Sequence, residues 1–295
     1  MEHRISQLAC AGGRWRLIAG LFLAGLLLAA CSRQENQLAR PDESSPVSQA
    51  DRQSVSFQSS DGQELSGVYY PPAKGPAPLI ILMHWAPGDQ SDWEAAACWL
   101  QNRGSCEEVL NPKAVSWLDP AWFPSLPHDR SYAVFTFTFR GCEGGCQKSD
   151  RPGWLLDAQA AVLAGREMPG VDAQRIVTVG ASIGSDGAAD GCIWLNQQFP
   201  GSCLGAFSIS PGGYLTIPYA DAVRSLGEMQ PAAPAWCLYS TNDQESAKAC
   251  QAASGEHYRA VSYQGSLHGM QLLAPNVQPA PLQLLLDFLN LVLAQ

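Results

Sequence analysis

The sequence is poor in charge, and basic residues are the scarcer kind. Charged residues make up 15% of the 295 positions, and 18 Lys and Arg stand against 27 Asp and Glu, so the formal net charge is −9. No cluster of Lys and Arg offers the basic surface that holds a phosphate backbone. We therefore expect no nucleic-acid partner.

Metal-binding patterns are lacking as well. The five histidines form no H-E-x-x-H motif. Cys142 and Cys146 have C-x3-C spacing without a His cluster nearby, which is a weak match to a redox or metal pair. We expect neither a metal nor an organic cofactor.

No apolar run is long enough for a comfortable transmembrane helix, which needs about 20 residues. Residues 281–294 are mostly apolar but contain Asp287, which favours a buried core helix. Residues 17–30 follow Arg4, Arg14 and Arg16, as the apolar region of a signal peptide follows its basic start.

The end of this leader, LAAC at residues 28–31, resembles the lipobox of bacterial lipoproteins. This predicts a lipoprotein signal peptide over residues 1–31, lipidation of Cys31, export, and anchoring to a membrane of the bacterial cell envelope. The residue after Cys31 is Ser32 and not Asp, which by analogy with Gram-negative lipoproteins favours the outer membrane. An ordinary signal peptide that happens to end at a cysteine is the alternative.

Cysteine usage agrees with export. Outside the leader and Cys31 the cysteines are even in number, which favours disulfides in an oxidising compartment. Their close spacing favours local pairs between sequential neighbours. These cysteines are Cys98, Cys106, Cys142, Cys146, Cys192, Cys203, Cys237 and Cys250.

Residues 32–53 are polar and poor in aromatics, which predicts a flexible tether, and residues 54–295 are enough for one domain. There, short apolar segments alternate with helical patterns, as in a mostly parallel sheet with helices on both faces. The short connection 211–234 predicts no large cap domain. Eight strands are predicted, the first two as a hairpin, at 54–58, 65–70, 79–83, 132–139, 175–179, 204–209, 235–239 and 260–263, and helices at 92–101, 155–166, 186–198, 219–226 and 281–294.

Residues 180–184, GASIG, place Ser182 between a predicted strand and a predicted helix. A nucleophile elbow requires this strand-turn-helix context, because its glycines allow the tight turn that exposes the serine hydroxyl. A serine hydroxyl also needs a base, and the base needs a carboxylate that orients it. Ser182 is therefore the predicted nucleophile.

In folds with this elbow, the acid and then the histidine follow the serine along the chain. His268 follows the last predicted strand, at the edge where the carboxyl ends of parallel strands meet, whereas His257 precedes that strand. Asp243 follows the preceding strand by a short loop, and Glu245 in the same loop is the alternative acid. The predicted triad is Ser182, Asp243 and His268.

The oxyanion hole is predicted from two backbone N–H groups. The residue after the nucleophile, Ile183, supplies one. The other comes from the loop after the third strand, where Ala86 is the predicted donor because Pro87 has no N–H. His84 in this loop precedes Ser182, so we expect it to support the loop and not to act as a base or ligand.

From Ser54 onward the chain resembles α/β-hydrolases of the dienelactone hydrolase and prolyl-oligopeptidase-like esterase group. The positions that carry the resemblance are residues 60–65, the His84 loop, Arg140-Gly141, Asp157, the Ser182 elbow, Asp243 and His268. Departures are Trp85, Ser185 and Thr138, which stand where such enzymes usually carry Gly, Gly and Asp. Trp85 bears on the oxyanion hole.

The resemblance implies an α/β-hydrolase fold in which residues 54–295 form the catalytic domain. It also implies hydrolysis of a small or polymeric carboxylic ester through an acyl-enzyme. Two alternatives stay open: a peptidase or acyltransferase with the same triad, and a catalytically silent binding lipoprotein.

Overall fold

The computed structural model describes residues 52–103 and 122–294. Several predicted features lie outside the described residues: the signal peptide, the predicted lipidation site Cys31, the predicted tether up to residue 51, and Cys106. Within the described ranges, no helix combines the length and the apolar character needed to cross a membrane.

A single eight-stranded sheet organises the domain, as the sequence predicts. Its strands are β1 (Gln53–Gln58), β2 (Glu64–Tyr70), β3 (Ala77–Met83), β4 (Ala133–Phe137), β5 (Val171–Ala181), β6 (Cys203–Ile209), β7 (Ala235–Ser240) and β8 (Tyr258–Tyr263). They lie in the order β1-β2-β4-β3-β5-β6-β7-β8. The hairpin β1-β2 joins antiparallel, and the strands from β4 to β8 are parallel.

Six α-helices lie between or after these strands in the described residues: α1 (Glu94–Gln101), α2 (Arg151–Arg166), α3 (Ile183–Gln198), α4 (Tyr219–Glu228), α5 (Gln244–Ala252) and α6 (Pro281–Leu293). Five of them confirm predicted helices. The sixth, α5, was not predicted, because its sequence QESAKACQA is mostly polar and its buried positions are the small residues Ser246, Ala247 and Cys250. Short 3-10 helices span Gln90–Trp93 and Gly269–Leu273.

The core lies on both faces of the sheet. Along β3, Leu79, Ile81 and Met83 pack with α2 to α5 on one face, and Ile80 and Leu82 pack with α1 and α6 on the other. This alternation follows from the period of two in a strand. In the described part of the chain, the connection from β6 to β7 holds only α4 and short loops, and no cap domain is inserted there.

Disulfides join sequential neighbours, as predicted for these cysteines. Cys142 pairs with Cys146, Cys192 with Cys203, and Cys237 with Cys250. The second pair ties α3 to β6, and the third ties β7 to α5. Cys98 is disulfide-bonded as well.

Arg140, in the loop after β4, joins two carboxylates from distant segments. Its guanidinium donates to Asp61 at 2.6 Å, and its backbone N–H and Nε donate to the buried Asp157 at 2.8 and 2.9 Å. Three positions that carry the family resemblance therefore meet in one network. The network fixes the start of the loop that runs from β4 toward the Cys142–Cys146 disulfide.

Candidate active site

Ser182 stands in the sharp turn between β5 and α3. Its backbone has φ 53° and ψ −119°, a left-handed geometry that side chains rarely adopt. The neighbouring glycines make the turn possible, because a Cβ on Gly180 would lie 1.9 Å from the Gly184 carbonyl oxygen. A Cβ on Gly184 would lie 2.2 Å from the Met83 carbonyl oxygen. The predicted elbow is thus present, with the serine at the start of a helix.

A chain of hydrogen bonds runs from Ser182 through His268 to Asp243. The Nε2 atom of His268 lies 2.8 Å from the Ser182 Oγ, and its Nδ1 atom lies 2.6 Å from the Asp243 Oδ2. The three side chains follow β5, β8 and β7, whose carboxyl ends meet at one edge of the parallel sheet. The structure therefore brings together the three residues that the sequence predicts as a triad.

The loops that carry the acid and the histidine are tied to each other. Ser240 Oγ donates to the Leu267 carbonyl at 2.6 Å, and the Asn242 N–H donates to the Gly265 carbonyl at 2.8 Å. The Gly269 N–H, next to the histidine, donates to Ser210 Oγ at 2.9 Å. These bonds hold the imidazole in line with Ser182.

The alternative residues lie elsewhere. Glu245 is in the first turn of α5, where it borders the pocket beside Ser182, but it is Asp243 that bonds His268. His257 lies at the amino end of β8 and borders a different surface pocket, beside α4. The geometry thus favours the acid and the histidine that the sequence favours.

A pocket of about 360 Å³ opens at Ser182 and His268. Both predicted oxyanion residues, Ile183 and Ala86, border it. The Ala86 N–H has no hydrogen-bond partner in the described part of the chain, so it is available to a ligand. Other walls, which the sequence did not single out, are formed by Ser149, Arg151, Trp154, Gly213, Tyr214 and Glu245.

His84 supports the loop at residues 84–88, the oxyanion loop, from beneath. Its ring is fully buried, with Nδ1 2.7 Å from the Trp85 carbonyl and Nε2 accepting the Phe139 N–H at 3.0 Å. These partners fix a neutral ring with the proton on Nδ1. Burial lowers the pKa of His84 to about 4, which agrees with that form.

The Cys142–Cys146 disulfide braces the same loop from the side. The Cys146 N–H donates to the Ala86 carbonyl at 2.7 Å, and the Gly144 N–H donates to the Asp89 carboxylate at 2.9 Å. Gly145 lies so close that a Cβ there would be 2.9 Å from the Pro87 carbonyl oxygen. The sequence predicts the pairing but contains no signal for this contact.

The Trp85 side chain packs against the loop that carries His268. The indole Nε1 donates to Asp92 at 2.6 Å, and the ring lies against Gly269. A Cβ on Gly269 would be 2.9 Å from the indole, and Gly269 also has φ 55°. The ring thus contacts the histidine loop, and of the oxyanion-loop residues it is Ala86 that borders the pocket.

Within residues 52–103 and 122–294, no group of three or more His, Cys, Asp or Glu side chains is placed to hold a metal ion. Of the two carboxylates that the sequence offers as the acid, Asp243 contacts His268, and Glu245 lies in the first turn of α5. The arrangement of Ser182, His268 and Asp243 can activate a serine hydroxyl, and the N–H groups that border the pocket can bind an oxyanion.

Comparisons with known proteins show what this chain is similar to in sequence. No family model matches the chain. A protein of Escherichia coli (strain K12), the uncharacterized YfhR, is 30% identical over 142 residues, which are 47% of this chain and 40% of that protein. The chain thus spans less than half the length of this curated relative.

Solved structures extend the likeness to the whole described domain. The α/β hydrolase GrgF from Penicillium sp. sh18 is 14% identical with a TM-score of 0.55, covering 83% of this chain and 99% of its own. A fungal esterase of Rhizomucor miehei is 13% identical with a TM-score of 0.57, and the match covers 87% of this chain and 86% of the esterase. The hyperthermophilic esterase from Pyrobaculum calidifontis is 16% identical with a TM-score of 0.54, and the match covers 82% of this chain and 84% of the esterase. Together with the eight-stranded, mostly parallel sheet, these similarities show that the chain has the α/β-hydrolase fold.

Proposed function

We propose that this chain is a serine hydrolase that cleaves carboxylic esters through an acyl-enzyme. The observation that carries the proposal is the bonded order Ser182, His268, Asp243 beside an open pocket. The esterases among the structural neighbours support the choice of an ester, although at low identity the likeness itself concerns the fold.

In the proposed reaction, the Ser182 Oγ attacks the ester carbonyl while His268 Nε2 takes the hydroxyl proton. Asp243 holds the imidazole with its proton on Nδ1, so that Nε2 faces the serine as a base. The N–H groups of Ile183 and Ala86 stabilise the oxyanion. His268 then protonates the leaving alcohol, and a water activated by the same imidazole releases the acid.

Labelling with a fluorophosphonate tests the nucleophile without any assumption about the substrate. We expect one label, on Ser182, and none in Ser182→Ala. Ser262→Ala, which changes an exposed serine of β8, is the matched control and should label like the wild type. A wild-type chain that is not labelled would support the silent binding lipoprotein instead.

A panel of esters and amides then tests the reaction. We expect turnover of short aryl esters that is lost in Ser182→Ala while the circular dichroism spectrum is retained. Turnover of peptides alone, or transfer to an added alcohol without hydrolysis, would instead identify the peptidase or the acyltransferase.

We also propose that the chain is exported and held on a membrane of the bacterial cell envelope through lipidated Cys31, the outer membrane in a Gram-negative cell. The leader sequence carries this proposal, and the three described disulfides are of the kind that persists in oxidising compartments. Metabolic labelling with a tagged fatty acid should mark the wild type and not Cys31→Ala. Equal labelling of both would contradict it.

A further inference from the structure

Loop 212–215, between β6 and α4, forms one wall of the pocket. Gly213 and Tyr214 border the pocket together with Ser182 and His268. The Tyr214 ring stands edge-on to the His268 imidazole, with ring centroids 6.1 Å apart and planes at 83°. The position of this loop therefore decides how much room is left beside the nucleophile.

One buried carboxylate collects the N–H groups of this loop. The Asp186 side chain accepts from the N–H of Gly212 at 3.3 Å, of Gly213 at 3.1 Å and of Tyr214 at 2.7 Å. Asp186 is 1% exposed and lies one turn after Ser182 in α3. The wall is thus tied to the helix that begins at the nucleophile.

A cation holds the carbonyl groups of the same loop. Arg151, at the start of α2, donates from Nε to the Leu215 carbonyl at 2.8 Å and from a terminal nitrogen to the Gly213 carbonyl. A short peptide segment is therefore fixed from two sides, by a carboxylate on its N–H groups and a guanidinium on its carbonyls. The guanidinium is always charged, and charged donors make stronger hydrogen bonds than neutral ones, so we expect the segment to keep one position.

We propose that Tyr214 is a specificity-determining residue that restricts the pocket to short acyl groups, and that Asp186 and Arg151 are the positioning residues that hold it there. This inference rests on the proposed function. The pocket of about 360 Å³ lies at the small end of the range for ligand sites, roughly 300 to 1,000 Å³. The Tyr214 ring is one of the large side chains that limit it.

Two alkyl fluorophosphonates of different length measure this restriction without an ester substrate. The readout is the ratio of the labelling rates of Ser182 by a dodecyl and by an ethyl probe. We expect Tyr214→Ala to raise this ratio by about tenfold or more, as hydrophobic pockets discriminate by that order per group. Tyr214→Phe keeps the ring and should keep the wild-type ratio.

Asp186→Asn tests the positioning role. It keeps the shape of the side chain but places an NH₂ group among three N–H donors, so we expect a rise in the ratio that is smaller than for Tyr214→Ala. Asp190→Asn is the matched control. This residue lies one turn later in α3, is 2% exposed, and its carboxylate has no hydrogen-bond partner among the described residues. It should leave the ratio unchanged.

The outcomes separate this inference from the proposed function. Absence of labelling in the wild type by either probe overturns both. Labelling with the same ratio in wild type and Tyr214→Ala overturns the specificity role alone, and an unchanged ratio in Asp186→Asn overturns the positioning role. If Asp186→Asn does not fold, Arg151→Lys takes its place, because it retains the charge and loses the fork that binds two carbonyls.

Discussion

Replacement of Asp243 by Asn separates the two acids that the sequence leaves as candidates. In the wild type, Asp243 Oδ2 lies 2.6 Å from His268 Nδ1 and accepts a hydrogen bond from its N–H, which leaves Nε2 free as a base 2.8 Å from Ser182 Oγ. An Asn amide in the same place can donate to Nδ1. The imidazole then carries its proton on Nε2 and cannot take one from the serine.

The expected loss follows from this change of tautomer. In Ser-His-Asp enzymes the same substitution lowers kcat on the order of 10⁴-fold, which corresponds to about 5 kcal/mol of transition-state stabilisation. The imidazole is 31% exposed and the carboxylate 13% exposed. Since water can orient part of the imidazole population, we expect a loss of about 10³ to 10⁴ in kcat with a small change in KM.

The assay is steady-state hydrolysis of a short aryl ester, with the rate of fluorophosphonate labelling as a second measure. Glu245→Gln is the comparison, because Glu245 lies two residues later and borders the same pocket. We expect its effect to fall on KM and to stay below about tenfold, the scale of a surface charge. If Glu245→Gln loses several orders of magnitude in kcat and Asp243→Asn does not, the assignment of the acid is wrong.

Three further changes test the elbow, the oxyanion loop and its buried support. Gly184→Ala should abolish turnover, because its Cβ would lie 2.2 Å from a backbone carbonyl oxygen, and an active variant would contradict the elbow geometry. The control is Gly227→Ala in α4, where a Cβ meets open space; it should be active and about 0.5 to 1 kcal/mol more stable than the wild type. Replacing Cys142 and Cys146 by Ser should lower kcat by roughly tenfold with KM little changed. This loss is smaller than the ~10²-fold loss in kcat expected when an oxyanion donor is removed. A rise in KM with unchanged kcat would refute the idea that this disulfide supports the oxyanion loop. Burial lowers the pKa of His84 to about 4, below its unfolded value of 6.5, so the unfolded chain binds the proton first as the pH falls. The free energy of unfolding should therefore fall by about 3 kcal/mol as the pH drops from 6.5 to 4. Urea unfolding at a series of pH values measures this fall, and His84→Gln should lack the part of it that comes from His84.

The strands and the three triad candidates could be predicted because each depends on a local pattern. Ser182 follows a strand and opens a helix, and Asp243 and His268 each follow the end of a strand. Parallel pairing then brings the three ends to one edge. The strand pattern requires only alternation and apolar runs, which the sequence displays directly.

The parts that could not be predicted depend on contacts between distant segments. Asp186 reaches the N–H groups of a loop 26 to 28 residues later. The backbone N–H of Cys146 donates to the carbonyl of Ala86, which lies in the loop after a different strand. No periodicity or motif marks such pairs, because at least one partner in each bond is a backbone group, and every residue type carries that group.

The helix that the sequence did not predict, α5, contributes to the proposed chemistry. Asp243 is its N-cap residue, and the Asp243 carboxylate makes no capping hydrogen bond, so it is free to bind His268. Ser182 is likewise the N-cap of α3. A helix N-terminus carries partial positive charge that stabilises an adjacent anion by about 0.3 to 1 kcal/mol. The oxyanion and the Asp243 carboxylate, the two negative charges of the proposed reaction, therefore each stand at the positive end of a helix.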